Sequence, residues 1–495
     1  MVFMKRRAFL QSSFFASGAL LFSHRSLAQS VQESSLATTS VSLAINAAMP
    51  IGHAIETNFT GLSYEQSQLA NPDFFSLKNP QLIGFFRRLG SQGVLRIGGN
   101  TSEYCFWNRS ATPNAAADHL DAGPDKSDHK IKQRTITPEA IDHLSDFLQA
   151  TGWSLIYGLN LGYGKPENAA DEAAYVMEKV GPDRLLAFQI GNEVDLFSHN
   201  GIRSSDYNFN EYAAEWHKFY KAVRHRVPNA PFAGPDTAYN LNWVKSFAQR
   251  FRHDVIFTSS HYYAEGPPTN PAMTIERLLG PNHELMLESA AIGEIKAQTG
   301  LPFRLTECNS CYDGGKWGVS DTFASALWAA DLMFEQAAAG AIGINFHGGG
   351  YGAYTPIAGS PEAGYIARPE YYGMLLFAAA GPGQLVQTTL SGADAMPLLS
   401  TYALRGADGR MRIVLINKEI HRGANLTLSG VASAFGKVLR LEAPHVGDTT
   451  DVTFGGAPVG EKGEWSPLRQ EHLEAENGQF QLHLPKASAV LIEFA

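Results

Sequence analysis

Short apolar runs alternate with amphipathic stretches between residues 59 and 380 of this 495-residue chain. The apolar runs have the length and composition of buried strands and cover residues 59–65, 94–100, 154–161, 185–193, 231–236, 255–263, 303–307 and 341–347. The stretches between them repeat apolar residues at helical spacing and cover residues 72–89, 138–150, 168–180, 210–227, 241–251, 273–298, 321–339 and 370–379. Strand–helix units in this order predict an α/β fold, a parallel (β/α)8 TIM barrel.

The pattern changes after about residue 381, where the helical period stops and short alternating runs take over. These runs are separated by turn clusters such as 406–409 and cover residues 398–404, 411–417, 425–428, 437–443, 451–454, 479–484 and 489–494. They predict a C-terminal antiparallel β-sandwich domain over residues 381–495. Residues 40–44 alternate in the same way. We therefore expect segment 29–50 to join the β-domain and residues 51–380 to form the barrel.

Residues 1–28 have the pattern of an export signal. Lys5-Arg6-Arg7 is a twin-arginine pattern, and a modestly apolar run and a small-residue site ending at Ala28 follow it. This order of basic, apolar and small residues predicts export through the twin-arginine route, with cleavage after Ala28. The mature protein is expected to be periplasmic or secreted.

Composition narrows the classes of partner. The chain is 44% hydrophobic and 18% charged, with a formal net charge of −9, which argues against nucleic acid or an anionic membrane as partner. Cys105, Cys308 and Cys311 are too few for a disulfide framework, and either packing or one local disulfide accounts for them. No metal-ligand cluster or cofactor motif is visible, so we expect neither a metal nor a cofactor. The sequence carries no heptad signal, and a monomer is expected.

Two glutamates stand at the ends of predicted strands. Glu193 closes Leu185-Leu-Ala-Phe-Gln-Ile-Gly-Asn-Glu193, and Glu307 closes Pro302-Phe-Arg-Leu-Thr-Glu307, 114 positions later. The carboxyl ends of barrel strands form the active-site face of this architecture. Burial at the rim of a core raises the proton affinity of a carboxylate, as a general acid requires. Other polar residues end the predicted strands in the same way: Glu65, Asn100, Asn160, Asn192, Asp236, His261, Tyr262, Tyr263 and His347. We expect a few of these to cap strands only, Asp236 and His347 first among them.

A facing pair of carboxylates can cleave an acetal through an oxocarbenium-like transition state. One carboxyl protonates the leaving oxygen, and the other attacks the anomeric carbon or activates water, depending on their separation. Glutamates on the fourth and seventh strands of a barrel are expected to stand about 5 Å apart, which gives retention of configuration.

The motifs resemble the retaining glycoside hydrolases on (β/α)8 barrels, and within them glycoside hydrolase family 79, which holds β-glucuronidases and heparanases. The similar segments are Asn192-Glu193, Ser260-His-Tyr-Tyr263, Phe59-x-Gly-x-Ser-x-Glu65 and Glu307-Cys-Asn-Ser-Cys-Tyr-Asp-Gly-Gly315. The resemblance implies Glu193 as acid/base and Glu307 as nucleophile. It implies that Asn192 binds the sugar 2-hydroxyl and Tyr263 holds the nucleophile. The other implied or candidate substrate-binding residues are His261, Tyr312, Gly314, Gly315, Glu65, Asn100 and Tyr354, of which Tyr312, the two glycines and Tyr354 are expected to bind a uronate carboxylate. Asp313 stands where a heparanase-like pattern tends to have glycine.

The resulting hypothesis is a retaining exo-β-glucuronidase that removes terminal β-linked glucuronic acid from a glycoside or polysaccharide. The alternatives are an endo-acting heparanase-like enzyme and a different activity of the same clan, such as a xylosidase or arabinofuranosidase. A non-catalytic carbohydrate-binding protein is a more remote alternative, because both glutamates are present. Loop 101–134 has no clear period and could roof the pocket.

Overall fold

The computed structural model describes residues 38–111 and 133–494. The predicted export signal and most of the predicted roof loop lie outside the described residues.

The described part of the chain alternates strands and helices through its first two thirds, and strands follow. The strands, in chain order, are β1 (Thr38–Ile55), β2 (Thr60–Glu65), β3 (Val94–Gly98), β4 (Cys105–Trp107), β5 (Arg134–Ile136), β6 (Ser154–Leu159), β7 (Leu185–Ile190), β8 (Phe232–Thr237), β9 (Phe257–Glu265), β10 (Phe303–Cys311), β11 (Ile344–Gly348), β12 (Ile357–Ser360), β13 (Gly364–Ala367), β14 (Gly383–Ser391), β15 (Leu399–Gly406), β16 (Met411–Asn417), β17 (Gly423–Ser429), β18 (Phe435–Glu442), β19 (Thr453–Phe454), β20 (Glu471–Glu474), β21 (Phe480–Leu484) and β22 (Ser488–Phe494).

The α-helices are α1 (Pro80–Leu89), α2 (Pro138–Thr151), α3 (Pro166–Val180), α4 (Phe209–Arg226), α5 (Leu241–Phe251), α6 (Ile275–Leu279), α7 (His283–Thr299), α8 (Phe323–Ala339) and α9 (Pro369–Ala380). Short 3-10 helices cover Gln66–Ala70, Asn100–Tyr104, Val194–Leu196 and Ala393–Ala395. No helix in the described ranges is both long and apolar enough to cross a membrane.

The predicted fold class is confirmed. Eight parallel strands close into a barrel in the order β10-β11-β2-β3-β6-β7-β8-β9. Counted along the chain, the fourth barrel strand is β7, which precedes Glu193, and the seventh is β10, which carries Glu307. The register pairs Glu307 of β10 with His261 of β9. Because all barrel strands are parallel, their carboxyl ends meet at one face and bring these side chains together.

The C-terminal β-domain is one continuous sheet of ten strands, ordered β19-β18-β22-β16-β15-β14-β1-β17-β21, with β20 beside β18. Its pairs are antiparallel except β1 with β17, which run parallel. The sheet curls over a core of its own, so that Phe480 of β21 and Phe494 of β22 pack with ring centroids 4.9 Å apart. The N-terminal strand β1 lies between β14 and β17 of this sheet, and the alternation of residues 40–44 predicted a strand that joins the β-domain.

One face of the sheet packs on the barrel. Along β16, Ile413 and Leu415 belong to the core of the sheet, whereas Val414 and Ile416 belong to the core shared with the barrel helices. This is the period of two that a strand buried on both faces requires. Tyr402 of β15 stacks on Phe334 of α8, with ring centroids 4.8 Å apart. The described residues consequently form a single compact unit.

Candidate active site

Glu193 is held at the barrel mouth by a strained turn. Gly191, after β7, has φ of 86°, and Glu193 itself has φ of 48°. A non-glycine residue in this left-handed region costs free energy and is typical of functional sites. The Glu193 amide N–H donates to the Asp236 carbonyl oxygen at 2.8 Å, which fixes the turn to the end of β8. The buried carboxylate therefore has one defined position.

Glu307 is surrounded by donors. The Tyr263 hydroxyl donates to its Oε1 at 2.7 Å, and Arg96 Nη1 donates to its Oε2 at 2.5 Å. His347 Nδ1 lies 3.5 Å from the same Oε2. Both carboxylate oxygens are thus occupied by groups that favour the ionised form.

The two glutamates face each other. One carboxylate oxygen of each, together with a ring nitrogen of His261, lie within 4.8 Å of one another. Burial raises the pKa of Glu193. Burial acts on Glu307 in the same direction, but the charges of His347, His261 and Arg96 and the Tyr263 hydroxyl outweigh it and lower the pKa of Glu307 to about 2. At neutral pH, Glu307 is ionised and Glu193 is the carboxyl with the higher proton affinity.

A buried charge network lies beneath the pair. His261 donates through Nδ1 to Glu193 Oε1 at 3.0 Å, and its Nε2 lies 3.2 Å from Asp236 Oδ1. Although burial alone would lower it, Asp236 and Glu307 raise the pKa of His261 to about 10, so the ring is an imidazolium. Arg96 Nη2 binds Asp236 Oδ2 at 2.5 Å, and Gln189 Nε2 donates to Asp236 Oδ1 at 2.6 Å. Asp236 is therefore the shared anion of this network.

The same atoms make a poor metal site. The grouping of Glu193, His261 and Glu307 is close enough to hold a cation. Ligation requires a neutral imidazole with a free lone pair. Both nitrogens of the His261 imidazolium face carboxylates as donors, and the Arg96 guanidinium already occupies the anionic side of Glu307. The contacts of these atoms are those of a hydrogen-bonded carboxylate pair.

Asn192 is oriented from three directions. Its Oδ1 accepts from Arg96 Nη2 at 2.6 Å, and its Nδ2 donates to Asn100 Oδ1 at 3.2 Å. Its backbone N–H donates to Glu103 Oε1 at 2.7 Å, while Glu103 Oε2 accepts from Gly162 N at 2.5 Å. The buried Glu103 carboxylate thus ties the turn that carries Asn192 to the loop after β6.

The loop after β10 differs in part from the expected carboxylate nest. The Gly315 amide donates to the Cys311 carbonyl at 3.1 Å and the Tyr312 amide to the Glu265 carbonyl at 3.2 Å, so neither is free for a ligand. Among the hydrogen bonds of the described residues, the Gly314 amide has no partner. A Cβ on Gly315 would lie 2.5 Å from the Tyr354 nitrogen, so this glycine serves the close approach of that loop. Asp313 adopts φ of 62°, a conformation that aspartate tolerates better than most residues.

Three tyrosine rings lie together beside the loop after β10. The Tyr263 ring lies 6.4 Å from the Tyr312 ring and 6.2 Å from the Tyr354 ring, measured between centroids. Tyr312 is 43% exposed. The Lys316 ammonium, by contrast, donates to the backbone carbonyls of Asn270 and Met273. The Tyr263 hydroxyl therefore binds Glu307, with the Tyr312 and Tyr354 rings next to Tyr263, whereas Lys316 is bound to backbone carbonyls.

The remaining strand-end residues divide into two groups. His347 bridges Glu307 and Glu65, with its Nε2 3.5 Å from Glu65 Oε1. Glu65 also accepts from the Thr101 amide at 2.8 Å. The expectation that Asp236 and His347 only cap strands is wrong, because both pair with charged groups of the site. Asn160 is instead the capping residue, since its Oδ1 accepts from the Tyr163 and Gly164 amides.

Sequence reasoning missed Arg96, Gln189 and Glu103. Arg96 and Gln189 lie inside strands whose neighbours are apolar, and Glu103 lies in a loop with no period. The partners named above are 47 to 211 positions away along the chain. For Arg96 and Gln189, the available signal was a charged or amide residue within a run that otherwise predicts complete burial.

All three cysteines are free and buried. The packing alternative is therefore the one that the structure supports.

Comparisons with known proteins agree over both parts of the chain. The protein-family model described as glycosyl hydrolase family 79, N-terminal domain, matches residues 55–333. The model described as glycosyl hydrolase family 79 C-terminal beta domain matches residues 401–491. A beta-glucuronidase of Neurospora crassa is 27% identical over 387 residues, 69% of this chain and 67% of that protein. Heparanase of Gallus gallus is 24% identical over 400 residues, 70% of this chain and 73% of that protein.

Solved structures agree on the fold. A 4-O-alpha-L-rhamnosyl-beta-D-glucuronidase from Fusarium oxysporum superposes with a TM-score of 0.72 at 17% identity, covering 91% of this chain and 99% of that chain. A GH51 arabinofuranosidase from Xanthomonas axonopodis pv. citri gives a TM-score of 0.68 at 15% identity, covering 92% and 100%. The family models together cover most of the barrel and the sheet, and we conclude that the chain belongs to glycosyl hydrolase family 79 and is a glycoside hydrolase.

Proposed function

We propose that the protein is a retaining exo-β-glucuronidase. The observation that carries the proposal is the facing pair Glu193 and Glu307, whose carboxylate oxygens approach within 4.8 Å. Retaining enzymes hold their two carboxyl groups about 5–5.5 Å apart, whereas inverting enzymes need about 6.5–9.5 Å to admit a water molecule. The similarity to a beta-glucuronidase over two thirds of the chain supports the sugar.

In the first step, Glu307 attacks the anomeric carbon and Glu193 donates its proton to the glycosidic oxygen. The anomeric C–O bond breaks, the leaving group departs as an alcohol, and the sugar is bound to Glu307 as an ester. The low pKa of Glu307 keeps the attacking carboxylate ionised. The raised pKa of Glu193 keeps a proton available for the leaving oxygen.

In the second step, Glu193 is a carboxylate and removes a proton from water. The water oxygen attacks the anomeric carbon, the bond to Glu307 breaks, and glucuronic acid leaves with its original configuration. Asn192 is held by Arg96 with one amide hydrogen directed to Asn100. Its second amide hydrogen remains as the donor for the sugar 2-hydroxyl.

For the uronate carboxylate, we assign the corner formed by the hydroxyls of Tyr312 and Tyr354 and the Gly314 amide. These groups lie next to Tyr263, which binds Glu307 directly. The formal net charge of −9 gives no long-range attraction for polyanionic chains. This favours exo action on single glucuronate caps over endo cleavage of a sulfated polymer.

The first experiment compares hydrolysis of 4-nitrophenyl β-D-glucuronide, β-D-glucoside and β-D-xyloside by the wild type and by Glu307→Gln. We expect a strong preference for the glucuronide, at least a thousandfold loss in Glu307→Gln, and β-glucuronic acid as the first product by proton NMR. Preference for the glucoside or the xyloside would reject the proposed uronate site but would still be consistent with a glycosidase. α-Glucuronic acid as the first product would overturn the retaining mechanism.

We also propose export of the protein through the twin-arginine route, on the basis of Lys5-Arg6-Arg7. In a bacterial host with this pathway, the wild type should appear in the periplasm and begin at Gln29 by N-terminal sequencing. The double change Arg6→Lys and Arg7→Lys should leave the protein in the cytoplasm, and Lys5→Arg should not. Equal periplasmic amounts of both variants would reject this route.

A further inference from the structure

A groove outside the carboxylate pair runs along the junction of the barrel and the sheet. Its volume is about 630 Å³, which lies in the range of small-molecule and cofactor sites. The barrel side is lined by Trp317, Asp321, Tyr365, Ile366 and Arg368, and the sheet side by residues 449–453 and 458–461. None of these residues contributes to the chemistry described above.

Trp317 forms a rigid platform in this groove. Its side chain is 63% exposed. The Arg368 guanidinium carbon lies 4.9 Å from the centroid of the Trp317 ring. Arg368 is itself fixed, because its guanidinium donates to the carbonyls of Tyr351 and Gly352. The indole therefore contacts a fixed cation and leaves most of its surface exposed, an arrangement that suits stacking of a ligand.

One loop contributes to both the groove and the surroundings of the active site. Trp317 lies in the loop after β10 that also carries Tyr312, whose ring is 6.4 Å from that of Tyr263, the residue that binds Glu307. Tyr312 is 43% exposed, and Tyr351, whose carbonyl binds Arg368, is 54% exposed. Three exposed aromatic residues thus lie on two loops that Arg368 connects, and exposed apolar surface of this kind marks candidate binding sites.

The charges of the groove select its ligand. Asp321, Asp451 and Glu461 face it, and Arg368 is the single cation among its described lining residues. Bringing a sulfate or a second uronate to this surface would place like charges together. Carboxylates and threonine hydroxyls accept hydrogen bonds from sugar hydroxyls, and the exposed indole attracts the C–H groups of a pyranose.

We propose that this groove binds uncharged sugar residues, namely the part of a glycan substrate that carries the sugar cleaved at Glu193 and Glu307. The inference extends the proposed function, because it assigns a neutral carrier chain to the exo-glucuronidase. Binding in the groove itself does not require the uronate.

Binding is tested first, by isothermal titration of the full chain carrying Glu307→Gln. The probes are β-1,4-xylohexaose, a β-1,3-galactohexaose and a heparin hexasaccharide. We expect one of the two neutral chains to bind, the added change Trp317→Ala to weaken that binding about tenfold, and the heparin chain to bind more weakly. The matched control is Phe435→Ala, which removes another exposed aromatic ring, 57% exposed and outside the groove.

The kinetic test separates the groove from the active site. On a glucuronate-capped xylo- or galacto-oligosaccharide, Trp317→Ala should lower kcat/KM about tenfold, whereas hydrolysis of 4-nitrophenyl β-D-glucuronide should stay within about twofold of wild type. Loss on both substrates alike, preferential binding of the heparin chain, or no binding of either neutral chain would each overturn the inference. If the wild type did not hydrolyse the aryl glucuronide, the proposed function would fail while the titration still decided the groove.

Discussion

At the scale of single residues, the proposed chemistry depends on two glutamates whose surroundings give them different proton affinities. Both are buried, so solvent exposure does not distinguish them. Glu307 contacts Arg96, Tyr263 and His347, whereas the close polar partner of Glu193 is His261. The number of donors around each glutamate supports the proposed roles, with Glu307 as nucleophile and Glu193 as acid.

A first prediction concerns Glu193→Ala. Glu193 as acid/base predicts a loss of about 10²–10⁴-fold in kcat/KM on substrates with poor leaving groups, and a smaller loss with 2,4-dinitrophenolate, which needs no proton. Azide should restore turnover and form the β-glycosyl azide, because a small anion fits the space left by the carboxylate and attacks the ester on Glu307. Formation of the α-azide, or equal loss on all leaving groups, would contradict the assignment.

A second prediction concerns the imidazolium beneath the pair. Activity of the wild type should fall as pH rises through the raised pKa of Glu193, because the acid loses its proton, and should fall at low pH as Glu307, with a pKa of about 2, becomes protonated. His261 lowers the pKa of both glutamates. In His261→Gln both limbs of the kcat/KM profile should therefore move to higher pH, with a rate loss of about tenfold to a hundredfold from disturbed positioning.

The control for this profile is His143→Gln, a half-buried histidine on α2 that lies near Asp73 and Glu139. Its profile should match that of the wild type. A His261→Gln profile with unchanged limbs would show that the ring acts through packing alone.

At this scale the sequence indicated the two glutamates of the proposed chemistry but not the residues that hold them. Glu193 and Glu307 end apolar strands, and that position alone indicated them. Arg96 could not be found in the same way, because a buried arginine is stable only with its partners Asp236 and Glu307, and these become neighbours only when the barrel closes.

At the scale of elements, the turn at Asn100–Tyr104 determines how the turn after β7 is held. Glu103 accepts one N–H through each oxygen, from Asn192 and from Gly162. Burial, partly offset by these N–H donors, raises the pKa of Glu103 to about 7. A carboxylate suits this buried position because both of its oxygens accept hydrogen bonds.

The third prediction is that Glu103→Gln lowers activity, although Glu103 itself binds backbone N–H groups and is not expected to contact the substrate. Glutamine keeps one acceptor but points an NH₂ group at a backbone N–H, which should cost about 1–3 kcal/mol of unfolding free energy. Asn192 should lose its orientation, and kcat should fall together with kcat/KM. Urea denaturation and steady-state kinetics measure both effects. Glu139→Gln, on the half-buried surface of α2, serves as control, and equal behaviour of the two variants would reject the role of Glu103.

The elements themselves were predicted with specific exceptions. The stretch 273–298 is two helices, α6 and α7, because Gly280-Pro281 cannot continue a helix. Strand β14 was missed, although it pairs with both β1 and β15. Its sequence, Gly-Gln-Leu-Val-Gln-Thr-Thr-Leu-Ser, places two buried residues side by side and so lacks strict alternation.

At the scale of the whole molecule, the alternation of the tail predicted strands but not the way they connect. A sandwich and a curled single sheet bury the same positions, since both present one face of each strand to a core. The order of the strands depends on β1, which comes from the other end of the chain and lies between β14 and β17. One face of this sheet packs on the barrel, and the other lines the core of the sheet itself.

The last prediction tests whether the barrel and the sheet are one folding unit. Lys418, just after β16, forms an ion pair with the buried Asp331 of α8, which also accepts from the Tyr402 hydroxyl at 2.7 Å. Removing the cation in Lys418→Met leaves a buried carboxylate with one neutral donor, and should destabilise the protein by about 3–5 kcal/mol. Replacing both partners, as in Asp331→Leu with Lys418→Met, should recover most of that loss, because no buried charge remains.

Urea denaturation followed by circular dichroism and by hydrolytic activity measures this cost in the full chain. Since the described residues form one compact unit, both signals should fall in a single transition that moves to lower urea in Lys418→Met. Lys437→Met, which removes an exposed lysine of β18, should leave the transition in place. If the circular dichroism signal changed at a urea concentration at which activity was retained, the barrel and the sheet would unfold separately. The ion pair would then not couple them.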